Sequence, residues 1–207
     1  YAGAPYCSNE SDPSPTFVTN GVAGAFTSTS GLTINATSGA VDISESTAGT
    51  YTVTNTIAAT GACAQVTATS QIVITSALTA TSVVTNILCT GLATGAINIT
   101  AANGTAAYGY AWAVSNGGNL NANAANAEDL TAIVAGTYTC TITDANGCQL
   151  VHAKTLTQPA AALSATSVVT NVSCNGLATG AINITVANGT GNYSYAWAAT
   201  NGGNLNA

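Results

Sequence analysis

The chain has 207 residues and almost no charge: one lysine (Lys154), no arginine and seven carboxylates, for a net charge of −6 and a pI near 4.1. With so little positive charge it cannot neutralise phosphates, which excludes nucleic-acid binding and polybasic attraction to anionic lipid. A hydrophobic fraction of 47% argues against disorder, which combines low hydropathy with high charge. No run of about 20 apolar residues is present to cross a bilayer as a helix.

Short β-type runs begin after a turn-rich, comparatively charged opening, Pro5 to Pro15. They are Thr16–Thr19, Gly24–Thr29, Leu32–Ala36, Ala40–Ser44, Gly49–Ile57 and Ala64–Thr75. β-Branched and polar residues alternate in them, and Gly, Asn, Ser and Pro interrupt them every eight to twelve residues. That spacing predicts an all-β sandwich or barrel, and no segment has the period of an amphipathic helix.

Further strands are expected at Ala80–Asn86 and Gly95–Thr100, the latter with Ile97 and Ile99 on one face and Asn98 and Thr100 on the other. Asn103-Gly104 is a turn signal. Tyr108, Tyr110 and Trp112 then share one face of a strand whose other face carries Gly109, Ala111 and Ala113. A Gly/Asn/Ala loop covers 116–126. A strand follows from Ala135 through Tyr138 and Cys140, then the turn Asp144–Gly147, Cys148, and a last strand toward Pro159.

This second stretch is repeated. Leu78–Ala122 returns as Leu163–Ala207 at an offset of 85 residues, with ten of 45 positions changed. A period of that size marks an array of whole domains. The expected units are 1–76, 77–161 and an incomplete copy at 162–207. The copy stops at Ala207, the equivalent of Ala122, and the chain begins at Tyr1 without an initiator methionine. The expectation is therefore a mature secreted chain or a window on a longer array.

Six cysteines without a Cys-x-x-Cys pair argue for disulfides and an oxidising compartment. The first two units share an Ala-Gly-Thr-Tyr strand, at Tyr51 and Tyr138, followed by a hairpin cysteine, Cys63 or Cys148. Each also has a leading cysteine, Cys7 or Cys89, at nearly equal spacings of 56 and 59 residues. Disulfides Cys7–Cys63 and Cys89–Cys148, one inside each unit, are expected on that parallel. Cys140 takes the place of Val53, which predicts a buried free thiol. Cys174 aligns with Cys89, and its partner is expected outside the present sequence.

The pattern Asn-x-x-Cys-x-Gly-x-x-x-Gly-x-Ile-x-Ile, Asn-Gly-Thr, Tyr-x-Tyr-x-Trp and Ala-Gly-Thr-Tyr-x-x-x-Ile-Thr-Asp-Ala-Asn-Gly-Cys resembles the SprB repeat. It runs fully over Leu78–Pro159 and partly over Leu163–Ala207. The first unit more loosely resembles the Ig-like domains that accompany such repeats. The resemblance implies tandem Ig-like sandwiches in a large Bacteroidetes surface protein, of the kind that includes gliding adhesins exported by type IX secretion. Such repeats mostly serve as stalk. The chain departs from the usual pattern in its Asn-Gly where Gly-Gly-x-x-Pro is common, and in the extra Cys140.

Chemistry is scarce. The one histidine, His152, reads as a strand-surface residue. A thiol pair of His152 with Cys140 or Cys148 is conceivable, but no nucleophile elbow is present. Two acidic clusters, Glu10/Asp12 and Glu128/Asp129, could touch a calcium ion, though no calcium-loop pattern is present and no cofactor is expected. Asp144 reads as a turn residue that bonds the hairpin backbone. The aromatic rows Tyr108, Tyr110, Trp112 and Tyr193, Tyr195, Trp197 could stack on a glycan. A strand with one bulky and one small face should instead turn the bulky one inward. Tyr51 and Tyr138 are expected to act like tyrosine corners.

The expected function is a non-enzymatic, extracellular stalk, filament or adhesin on a bacterial surface, with self-association and surface glycans as candidate partners. The low charge removes the usual lysine protection of sheet edges, which favours assembly. The alternative is a carbohydrate-binding module.

Overall fold

A computed structural model describes residues 1, 5–189 and 192–201, so the last positions of the third unit, 202–207, lie outside the described residues. Among the described residues the protein is all-β, in tandem sandwiches.

The first unit is built on β5 (Gly49–Ile57) and β6 (Val66–Thr75), the longest strands of the chain. They form an antiparallel hairpin. β2 (Ala25–Ser28) pairs with β5, and β1 (Tyr6–Cys7) runs parallel to the far end of β6, with Cys7 opposite Thr75. The short ribbon β3 (Thr33–Ile34) and β4 (Val41–Asp42) stands apart. Val41 and Ile43 are fully buried, in one cluster with Phe26, Tyr51 and Ile72. The run Thr16–Thr19, expected as a strand, is not one. Its end is taken up by a turn, in which Gly21 N–H donates to the Val18 carbonyl at 2.8 Å and Asn20 has φ 67°. Its Phe17 ring instead lies 6.3 Å from that of Phe26.

The second unit is a sandwich of two three-stranded antiparallel sheets. One is β10 (Leu130–Ile133), β8 (Gly95–Ala102) and β7 (Thr79–Thr85); the other is β12 (Gln149–Leu156), β11 (Gly136–Thr143) and β9 (Gly109–Ser115). The alternation read from the sequence is the alternation of burial. Ile97 and Ile99 point inward from β8, and Tyr138, Cys140 and Ile142 from β11. Burying side chains of that size stabilises by roughly 1.5–3 kcal/mol each. Asn103 and Gly104 both have positive φ, 59° and 60°, but they carry the chain from one sheet to the other rather than closing a hairpin.

β10 has no period-two signature because its pairing is irregular. Leu130 stands opposite Ile97, and Ile133 opposite Gly95, with a register shift between them and Ala132 at φ 52°. A bulge of this kind puts both apolar residues inward at a spacing of three.

In the third unit β13 (Ser164–Thr170) and β14 (Ala181–Ala187) pair antiparallel, in the same way as β7 and β8.

Candidate functional site: a stapled joint

The chemistry of the chain concentrates where the first two units meet. β6 ends at Thr75, and β7 starts at Thr79. Around this short link Cys7 is bonded to Cys148, with Cα atoms 5.7 Å apart and 141 residues between them in sequence. The disulfide therefore crosses from the leading strand of the first unit to the last hairpin of the second.

Polar bonds surround the staple. Ser8 N–H donates to the Thr75 carbonyl at 3.0 Å, and Ala77 N–H donates to Ser8 Oγ at 2.8 Å. Thr75 Oγ1 donates to the Tyr6 carbonyl at 3.1 Å and lies 3.2 Å from Cys148 Sγ. Glu10 accepts from Cys7 N–H at 3.2 Å. The hairpin that carries Cys148 is held by Asp144, whose Oδ1 accepts from Asn146 and Cys148 N–H, both at 2.9 Å. Its Oδ2 accepts from Thr105 N–H at 2.8 Å. Burial alone would raise the Asp144 pKa, but these main-chain donors outweigh it and hold the carboxyl below its ordinary range. So the turn aspartate fixes the sulfur by fixing its backbone.

The pairings expected from spacing, Cys7–Cys63 and Cys89–Cys148, are corrected here: Cys63 and Cys89 are free and exposed. Strand length is the reason. Cys7 sits beside Thr75 at the end of β6, while Cys63 lies in the turn before Val66 at its start. Nine residue steps of extended strand separate the two ends by about 30 Å. The same holds in the second unit. Ile87 N–H bonds the Thr157 carbonyl, and Thr90 Oγ1 bonds the Pro159 carbonyl. Cys89 is thus placed past the C-terminal end of β12, and Cys148 precedes its N-terminal end.

Cys140 is free and fully buried, and burial pushes its thiol pKa up. A raised thiol is a poor nucleophile at neutral pH. His152 stands opposite Cys140 in the β11–β12 register, yet its Nε2 lies 3.0 Å from Ser82 Oγ on β7. Burial and Lys154 both lower its pKa. In the register of this hairpin Thr143 faces Gln149.

The acidic pairs are engaged locally. Asp12 accepts from Ile43 N–H at 3.0 Å, Asp129 from Ile99 N–H at 2.9 Å and from Asn98 Nδ2 at 2.8 Å, and Glu128 from the Tyr110 hydroxyl at 2.8 Å. Among the described residues no group of three or more His, Cys, Asp or Glu is placed to hold a metal ion.

The two aromatic rows differ. Trp112 is 8% exposed in the core, its indole N–H donating to the Ala127 carbonyl at 2.8 Å, and Tyr108 and Tyr110 pack against that core. Neither face of Trp112 is open to a sugar ring. Tyr193, Tyr195 and Trp197 are 43%, 56% and 48% exposed. The tyrosine corners are formed in both of the first two units: Tyr51 donates to the Thr47 carbonyl at 2.6 Å, and Tyr138 to the Val134 carbonyl at 2.8 Å, each four residues upstream.

Residues 81–119 and 166–203 match the model of the SprB repeat. Each match takes in most of the strand pair, the cysteine at 89 or 174 and the Tyr-x-Tyr-x-Trp row. No curated protein matches the chain.

Proposed function

We propose that this SprB-repeat chain is part of an extracellular bacterial stalk or filament, a structural and adhesive array rather than an enzyme. The coarser part of that reading, a surface adhesin-like repeat protein, follows from the family. One observation supports the mechanical part: the covalent bond Cys7–Cys148 spans a joint between units. A disulfide inside a sandwich would limit the unravelling of that unit. A disulfide across a joint stiffens the string and sets the angle between successive units. Each sandwich then resists load through its strand ladders, and the staple passes load past the link at 76–78. The nearly uncharged Thr/Asn/Ser surface keeps hydration without making the array sensitive to salt.

The outer surface is the expected location, by a secretion route such as type IX. Labelling of intact source cells with an antibody to the second unit, before and after protease shaving, tests this. Signal only in lysed cells would refute it. Filament assembly is tested by light scattering at high protein concentration, where a strictly monomeric species refutes assembly and leaves the stalk reading intact.

A further inference from the structure

The third repeat presents an uncovered core. Leu163, Ile182 and Trp197 are 63%, 55% and 48% exposed, whereas their equivalents Leu78, Ile97 and Trp112 are 3%, 0% and 8% exposed. In the second unit that face is closed by β10, β11 and β12, through Leu130, Ile133, Tyr138, Ile142 and Leu156. β13 and β14 pair at the same register as β7 and β8 and carry Ile182 and Ile184 where β8 carries Ile97 and Ile99, so this face requires the same complement.

One cysteine stands at the edge of that face. Leu88 and Cys89 line a groove with Leu163, Gly189, Tyr193 and Trp197. Leu163 and Gly189 are the equivalents of Leu78 and Gly104. In the second unit those two residues lie beside the hairpin that ends in Cys148: a Cβ on Gly104 would sit 2.8 Å from Asp144 Oδ2 and 3.1 Å from Leu78. Cys7, the leading cysteine of the unit before, reaches the sulfur of that hairpin. Cys89 is the leading cysteine of the second unit, free and exposed. It stands toward the third repeat as Cys7 stands toward the second.

We propose that the open face of the third repeat is covered by a strand segment with the sequence pattern of residues 130–156, and that the hairpin cysteine of that segment forms a disulfide with Cys89. The covering segment follows from the apolar face, and the staple from the place of Cys89 beside it and from the bond already made by Cys7. In the bond-forming step two S–H bonds break and one S–S bond forms. Two protons and two electrons pass to an oxidant of the disulfide class, which is reduced to a dithiol. Staples then run from each unit to the next, with none inside a unit. This connectivity goes beyond the surface-stalk reading and does not depend on it.

The test uses the full chain extended after Ala207 by a second copy of residues 123–161, refolded with glutathione disulfide, then alkylated and mapped by mass spectrometry without reduction. The expected result is a crosslinked peptide joining Cys89 to the appended equivalent of Cys148, with Cys174 alkylated. Trp197 fluorescence, read against a Trp197→Phe control, should shift to the blue and resist acrylamide quenching. A parallel extension with serine at the appended hairpin cysteine should still bury Trp197 but leave Cys89 alkylated. Burial of Trp197 with Cys89 still alkylated in the cysteine-bearing extension would overturn the staple, as would pairing of Cys89 with Cys174. A Trp197 that stays quenchable in both extensions would overturn the covering segment.

Discussion

Cys7 and Cys148 are joined across 141 residues of sequence, and the bond fastens the start of one unit to the last hairpin of the next. Closing so long a loop constrains the unfolded chain by about 5 kcal/mol in the chain-entropy model, less any strain. The staple therefore acts on the pair of units together rather than on either alone.

Replacing Cys148 by serine should free the joint while leaving both sandwiches folded. Small-angle scattering should then report a broader distribution of overall dimensions than for the oxidised parent, and combined stability should fall by up to about 5 kcal/mol. Unreduced peptide mapping of the parent should return the Cys7–Cys148 pair; recovery of Cys7 with Cys63 would contradict the joint.

Tyr138 is fully buried, and its hydroxyl both donates to the Val134 carbonyl and accepts from Asn119 N–H at 3.1 Å. Tyr138→Phe keeps the ring and leaves both main-chain groups without that partner. The expected loss is about 1–3 kcal/mol by urea unfolding. Tyr51→Phe in the first unit should cost less, because Thr47 is exposed.

The main-chain donors around Asp144 make its folded pKa lower than its unfolded one. The stability this contributes is complete above the ordinary aspartate range and is lost as pH falls through the folded value. The protein should therefore weaken below about pH 4. Asp144→Asn should lower stability at pH 7 and flatten that acid limb. An acid limb of unchanged slope in the variant would assign the effect to another carboxylate.

Gly136 sits where two backbones meet. A Cβ there would lie 2.2 Å from Gly118 N and 2.3 Å from Gly118 Cα. Backbone cannot rotate away as a side chain can, so Gly136→Ala should destabilise the second unit by more than about 1 kcal/mol. Chemical denaturation of the alanine variant measures it. This close approach accounts for the glycine of the Ala-Gly-Thr-Tyr sequence in the second unit.

Much of the fold was legible in the residues. β5 was read to its ends because period-two alternation is a local property of an extended chain. The inward turn of Trp112 was legible from the small residues opposite it, and the hairpin role of Asp144 from its place before Ala-Asn-Gly. β10 was not legible, because its bulge sets Leu130 and Ile133 three apart and erases the strand period. Thr16–Thr19 misled in the other direction, since its composition suits a strand while its end is drawn into the turn at Val18–Gly21.

Within the chain itself, sequence determined the repeat, the strand periodicity, the near absence of charge and the equivalence of Cys7 with Cys89. Those are properties of residue identity and spacing. Which sulfur each cysteine meets was decided only by tertiary structure. A disulfide depends on distance in space, and a strand of ten residues holds the two ends of one unit apart while bringing the facing ends of neighbouring units together. The exposure of Trp197 is of the same kind: its sequence is nearly that of Trp112, and only the presence of covering strands separates a core residue from a surface one.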